Sequence, residues 1–218
     1  MVPNNQNLLE RSFRKQYLNI LRNQMTKLSR NQKNEICRET ERLADKLIKE
    51  NEAMIVDRAA RTHIRMTTPV PASYRVLLPH FKDSESVISN REEAFGGIGK
   101  RWIKLYTRLM LRFSRDPFSR IIEVSKKRIE NNYGRTFRFE YSGDGQNQFI
   151  ITTKKCFYHD FFAANDIPEL TYGFCNGDKN GFEEIKPEKH GFHFERPTTL
   201  GYGGSECPFK FTRTGHRR

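Results

Sequence analysis

At 218 residues the chain has the length of one domain, or of one domain with a helical extension, and is long enough to bury a core. Hydrophobic residues are 36% of it and mean hydropathy is −0.79, both low for a compact enzyme, but aromatics are 12%, with 17 phenylalanines. The formal net charge is +13, yet there is no homopolymeric Lys/Arg run, zinc finger or RNP-type motif. Charge spread in this way reads as a solvated surface, or as a field that draws in small anions, rather than as a nucleic-acid footprint.

No stretch approaches a membrane span. The opening MVPNNQNLLERSFRKQY lacks the apolar core of a signal peptide. The expected compartment is therefore the cytoplasm, with reduced cysteines. Four cysteines at wide spacing, with no CxxC, exclude a disulfide framework, a zinc ribbon and a thioredoxin-type motif.

Residues 7–50 read as helix. Leu8, Phe13, Tyr17, Ile20, Leu21, Met25 and Leu28 form one stripe at three- and four-residue steps, with a candidate break at Ser29-Arg30-Asn31. Ile36, Leu43, Leu47 and Ile48 continue the pattern, with Cys37 as a packing residue. Residues 51–67 extend the helical signal, which Pro69 and Pro71 are expected to stop. His63 has no partner visible in the sequence and reads as structural. Residues 72–90 read as a further helix or an irregular link. Phe95-Gly96-Gly97-Ile98-Gly99-Lys100 lacks the Walker spacing and reads as a turn before a helix. That helix runs through Trp102, Ile103, Tyr106, Leu109, Met110 and Phe113, and another spans Phe118 to Asn131 with Gly134 as its stop.

Near residue 136 the period changes from helical to alternating. Phe137, Phe139 and Tyr141 alternate with polar residues, Gly143-Asp144-Gly145 supplies a turn, and Phe149 to Thr153 returns, which predicts a hairpin. Residues 158–165 and Glu169 to Gly177 read as short helices, with fraying expected at Gly177 and Gly181. His190 to Arg196 alternates again, with His193 and Glu195 opposite Phe192 and Phe194. After the bend at Gly201-Tyr202-Gly203-Gly204, Phe209 and Phe211 mark a last strand, and Thr214 to Arg218 reads as a frayed tail. The expected fold is α+β: a helical region over 1–135, then an α+β region over 136–214 with a small antiparallel sheet and two short helices, together one integrated domain.

Residues 156–211 hold three of the four cysteines, Cys156, Cys175 and Cys207, together with His159, Asp178, His193, Glu195 and Arg196. A thiol becomes chemically useful when a base, a cation or a metal lowers its pKa. Taken singly, each cysteine reads as a small buried hydrophobe. Cys175 and Asp178, three residues apart, share a face if helix persists through them. The carboxylate alone would raise the thiol, so a cation is needed, and Arg196 and His193 are the candidates. The three cysteines with His159 or His193 would make soft metal ligands, but spacings of 19 and 32 residues show no metal-knuckle pattern. No metal or cofactor is expected.

The order Cys156, Pro168-Glu169-Leu170, Cys175-x-x-Asp178, Phe194-x-Arg196-x-x-Thr199-Leu200, a glycine cluster and Cys207-x-Phe209-x-Phe211 resembles the L-2-amino-thiazoline-4-carboxylic acid hydrolase family. The resemblance covers about the last quarter of the chain. It implies a hydrolase that opens a cyclic amidine of a small cysteine-derived acid at a C–N bond, to N-carbamoyl-L-cysteine. In that reading a thiolate of Cys175 or Cys156, or a water held by Asp178, attacks the ring carbon. His159 or His193 protonates the leaving group, Arg196 pairs with the substrate carboxylate, and Cys207 belongs to the substrate-binding set. The expected partner is thus a small anionic substrate, with neither membrane nor nucleic acid, and the N-terminal helices offer a surface for a homo-oligomer. Two other classes stay open: a same-fold biosynthetic enzyme acting on another small substrate, and a non-catalytic module binding a small ligand or a metal.

Overall fold

The computed structural model describes residues 5–80, 87 and 96–215, with the backbone alone for residues 5–9. The readings made for Leu8, for 81–86, 88–90 and Phe95, and for the tail at 216–218 with His216, lie outside what is described. Among the described residues no helix is long and apolar enough to cross a membrane.

Helix α1 (Asn5–Gln24) buries Phe13, Tyr17 and Leu21 at four-residue steps. Helix α2 (Arg30–Glu50) begins where the sequence breaks. Ser29 accepts from the Gln32 amide and the Gln32 side chain accepts from the Ser29 amide, a capping box. Asp57 caps α3 (Arg58–Thr67) by accepting from the Ala60 amide at 2.7 Å.

Pro69 and Pro71 do not end the helical region. They lie in the first turn of α4 (Pro69–Leu77). The amides of a first turn have no partner inside the helix, so proline costs nothing there. Tyr17 ties α1 to α4. Its hydroxyl donates to Ser73 Oγ at 2.6 Å, because the Ser73 hydroxyl itself donates to the Val70 carbonyl.

Helix α5 (Lys100–Arg112) starts after Gly99, and α6 (Pro117–Asn132) after an Asp116 cap. Four strands follow: β1 (Arg138–Ser142), β2 (Gln148–Lys155), β3 (Phe192–Glu195) and β4 (Cys207–Arg213). They form one antiparallel sheet in the order β1-β2-β4-β3. Helix α7 (Phe157–Ala164), α8 (Thr171–Phe182) and the short α9 (Pro187–His190), which the sequence reading did not anticipate, lie between β2 and β3. The α+β architecture is therefore as expected, with a helical N-terminal half.

Helix α8 does not fray at Gly177 or Gly181 but continues to Phe182. A Cβ at Gly181 would sit 3.3 Å from Thr107 Oγ1 and 3.4 Å from an Ile103 methyl, so the missing side chain lets α5 approach. The Asn180 amide donates to the Gly96 carbonyl at 2.8 Å and fixes the same contact. Tertiary packing offsets the roughly 1 kcal/mol that a glycine costs in a helix. Thr214 is not frayed either, since its amide donates to the Gly191 carbonyl.

The register puts Phe139, Thr153 and Cys207 in one row across the sheet, Tyr141, Ile151 and Phe209 in the next, and Phe149, Phe211 and Phe194 in a third. This face packs under α6 and α8. Two apolar clusters result. One joins Tyr17, Leu21, Ile64 and Leu77 of the first helices to Phe157, Phe161, Phe162 and Phe174. The other joins Phe118, Ile121 and Ile122 of α6 to Ile151, Phe192 and Phe211 of the sheet. Phe139 touches both.

Asp116 fastens α6 to the sheet. It accepts from the Ser119 amide and, at 2.6 Å, from Arg213 Nη2 on β4. The Arg213 hydrogen bond, helped by Ser119 and opposed by burial, holds the carboxyl at about 2. A folded pKa below the unfolded one stabilises the fold above about pH 4, and that contribution is lost as pH falls toward 2. Because the side chain is 43% exposed, solvent screening reduces its worth to about 1 kcal/mol. In urea titrations the stability gap between wild type and Asp116→Asn is predicted to shrink as pH drops from 5 to 2. A gap that does not change with pH would contradict this linkage.

Candidate active site

Helix α8 presents Thr171, Phe174, Cys175, Asp178 and Phe182 along one face, at helical steps. These residues line a cavity between the two apolar clusters. Its floor is the sheet row of Thr153 and Cys207 with Phe209, and its walls include Ser125 and Arg128 of α6, Cys156 and Tyr158 at the start of α7, and Arg196 just after β3. The volume is about 100 Å³. A cavity of about 150 Å³ holds benzene, so this one is a small-molecule space that a ring with substituents would fill and extend beyond, on the side where Asp178 stays accessible.

The charged centre is the pair Asp178 and Arg196. Arg196 Nη1 donates to Asp178 Oδ2 at 3.1 Å, Nη2 donates to the Cys175 carbonyl, and the guanidinium lies 5.2 Å from the Phe209 ring centroid. Arg196 is 5% exposed, whereas the Asp178 side chain keeps 39% accessible, as a cavity-lining group does. Burial pushes the Asp178 carboxyl above its ordinary range, against the lowering effect of Arg196 and Arg128. Oδ1 accepts no hydrogen bond from the described residues and is free to bind a ligand.

The three sulfurs meet on this cavity. Burial pushes the Cys156 thiol up to about 12 and the Cys207 thiol up to about 11, and it also raises Cys175. All three are therefore neutral thiols near pH 7. Cys207 Sγ accepts from the Leu200 amide at 3.0 Å. Around Cys175 the Thr199 hydroxyl, the Gly201 amide and the Arg196 charge favour the ionised form and partly offset burial. The loop is tight there, and a Cβ at Gly201 would stand 2.8 Å from Cys175 Sγ.

Of the residues singled out from the sequence, the fold brings Cys156, Cys175, Asp178, Arg196 and Cys207 together and leaves two histidines aside. His193 shares the opposite sheet face with Glu195, 3.8 Å away, and His159 lies 3.6 Å from Asp160. Neither histidine lines the cavity. Arg196, expected to hold a substrate carboxylate, is already bonded through both arms of its guanidinium. Among the described residues no group of three or more His, Cys, Asp or Glu side chains is arranged to hold a metal ion.

Sequence reasoning missed Arg128, Tyr133, Tyr158 and His63. Arg128 could have been found, because it lies two turns beyond Ile121 on the inward stripe of α6. His63 left no local signal, since its partners are 69 and 95 residues away. Its Nε2 donates to the Asn132 carbonyl at 2.8 Å, which leaves Nδ1 to accept from the Tyr158 hydroxyl at 2.9 Å. Burial lowers its pKa and keeps this tautomer neutral. Through it, α3 sets the position of a cavity-lining tyrosine.

Neutral, enclosed thiols predict slow alkylation. Iodoacetamide at pH 7.5 is expected to modify native Cys156 and Cys207 about a hundredfold or more slowly than the unfolded chain, with rates still rising at pH 10. Rapid labelling of Cys156 or Cys207 with a plateau below pH 8 would contradict the assigned burial.

The family model described as L-2-amino-thiazoline-4-carboxylic acid hydrolase matches residues 73–211. The match takes in α5 and α6, where the sequence reading found no signature, and every cavity residue named above. His63 and helices α1 to α3 precede it. Searches of curated proteins and of solved structures found no match. With most of the chain matched and the thiol, carboxylate and guanidinium groups of its motif gathered on one cavity, the chain belongs to the L-2-amino-thiazoline-4-carboxylic acid hydrolase family.

Proposed function

We propose that the chain is a hydrolase that opens a small 2-amino-thiazoline-type carboxylic acid, with Asp178 as the group that moves the protons. The observation that carries this reading is a carboxyl of raised pKa, held by Arg196, with a free oxygen on a small-molecule cavity lined by three thiols. Perturbed carboxyls in clefts are where acid–base catalysis is found.

The electrophile is the amidine carbon between the ring sulfur and the ring nitrogen. Asp178 takes a proton from water as the water oxygen bonds to that carbon, and the proton passes to the ring nitrogen. The tetrahedral carbon then collapses to a carbonyl. The carbon–sulfur bond breaks, its electron pair leaves on sulfur, and the former hydroxyl proton ends on that sulfur. One water is consumed, and the product carries a carbamoyl group on nitrogen and a free thiol. This corrects the C–N cleavage expected from the sequence. A product carbamoylated on nitrogen keeps that C–N bond, and a thiolate is a weaker base than an amine and leaves more readily. Arg196 acts as a positioning residue that fixes Asp178, and the Cys156 and Cys207 thiols form a soft, uncharged wall beside the ring sulfur.

A second reading makes Cys175 the nucleophile, with Asp178 taking its proton. The Thr199 hydroxyl, the Gly201 amide and the Arg196 charge around its sulfur favour it. Replacement of Cys175 by Ser separates the two, since the water route survives it and the covalent route does not.

Release of free thiol from 2-amino-thiazoline-4-carboxylate is the assay. Asp178→Asn is predicted to lose about 10²- to 10⁴-fold in kcat while the chain stays folded. Because a base must be ionised, wild-type kcat is predicted to rise with pH through the raised Asp178 pKa and then level off. Turnover by Asp178→Asn equal to wild type would overturn the assignment. Wild-type protein that binds the acid but releases no thiol would point instead to a non-catalytic binding module or to a same-fold enzyme with another reaction.

A further inference from the structure

The cavity holds two guanidinium groups and one carboxylate. Arg196 and Asp178 neutralise one another. Arg128, the second arginine, makes no ion pair or hydrogen bond with any described residue, and its guanidinium carbon lies 5.9 Å from the Tyr133 ring centroid. Its accessible surface is therefore surface that a ligand can cover. Tyr133 also lines the cavity, and its hydroxyl likewise has no hydrogen-bond partner among the described residues.

An exposed, unpaired arginine is ordinary on an open surface, but this one lines a cavity. Among the described residues the one other cation that lines this cavity, Arg196, is paired, and Arg128 stands on the side of α6 where Ile121 and Ile129 pack on the sheet. Arg128 thus brings to the cavity N–H donors from which no described residue accepts a hydrogen bond. A guanidinium in that situation matches a planar anion, which it binds through two parallel N–H···O bonds.

We propose that Arg128, with the Tyr133 hydroxyl beside it, is the anchor for the carboxylate of the cavity's ligand. The substrate class is thus a small monoanionic acid. Its carboxylate lies against α6 and its reacting end lies toward α8, where Asp178 and Cys175 stand. Arg196, which the sequence singled out for this role, is 5% exposed and already turns Nη1 to Asp178 and Nη2 to the Cys175 carbonyl, so it offers a ligand little surface. The placement rests on the proposed function for the identity of the ring, but not for the recognition of the anion.

The test measures binding and turnover separately. Calorimetry with 2-amino-thiazoline-4-carboxylate and with its uncharged carboxamide is compared in wild type, Arg128→Lys and Arg128→Met. Neither variant breaks a hydrogen bond or ion pair with a described residue, Arg128→Met removes the charge over Tyr133 and near Asp178, and circular dichroism checks the fold. Wild type is predicted to bind the acid about 10- to 100-fold more tightly than the amide. Arg128→Met is predicted to abolish that preference with amide affinity unchanged, and Arg128→Lys to keep part of it. In turnover, read on the pH plateau where Asp178 is ionised in wild type and variant alike, the loss falls on KM rather than on kcat. The inference is overturned if Arg128→Met keeps the preference, or if wild type shows none or does not bind the acid. Acid bound in an Arg128-dependent way without thiol release would leave this inference standing and remove the proposed reaction. Turnover by Arg128→Met with an unchanged KM would do the reverse.

Discussion

The pairing of Arg196 with Asp178 is the constraint on which the site depends. A buried ion pair gains little net stability over apolar packing, because both charges lose their water. Its value lies in geometry. Arg196 is enclosed, spans from the Asp178 carboxylate to the Cys175 carbonyl, and rests on the Phe209 ring. It therefore locks the loop after β3 onto the last turns of α8. Removing either partner would leave the other charge uncompensated, at a cost that the 39% exposure of Asp178 keeps below the roughly 3–5 kcal/mol of a fully buried pair. The pair is also asymmetric. The arginine is sealed, while the carboxylate keeps one oxygen open to the cavity.

Burial sets the rest of the electrostatics. The same desolvation that raises Asp178 raises the three thiols, so the cavity at neutral pH is soft and mostly uncharged around one carboxylate and one unpaired arginine. A carboxyl that holds its proton more tightly folded than unfolded costs stability as pH rises from the ordinary carboxylate range to the raised value. The fold accepts that cost at a position where a proton-transfer group of shifted pKa has chemical use. Such trade-offs of stability for reactivity are concentrated at functional sites.

Periodicity and local chemistry made much of this legible. The stripe of α1, the helix break at Ser29, the hairpin around Gly143 and the alternation of β4 follow from side-chain spacing and turn residues, and each stands near the position that spacing gives it. The failures have specific causes. Pro69 and Pro71 look like stops in sequence because a proline's effect depends on which turn of a helix it occupies, and spacing alone does not give that. Gly181 looks like a fraying point in sequence because what it does is admit α5, a partner some 80 residues away. At the site, the cysteines, Asp178 and Arg196 stood out as residue types in a fixed order. Arg128 was one basic residue among 39, and only its place on the inward stripe of α6 distinguishes it. The histidines misled because imidazole suggests proton transfer in any sequence, whereas strand register places His193 on the far side of the sheet.

The central claim is that Asp178 holds a proton more tightly than an ordinary carboxyl while remaining bonded to Arg196 in the ligand cavity. Carbon-13 NMR titration of the aspartate side-chain carboxyls, with Asp178 assigned by difference from Asp178→Asn, measures this directly. The account predicts a midpoint for Asp178 displaced upward from about 3.9, the value for a free aspartate. A midpoint at or below that value would mean that the arginine's charge outweighs burial, and Asp178 would then be a structural ion-pair partner rather than the group that transfers protons.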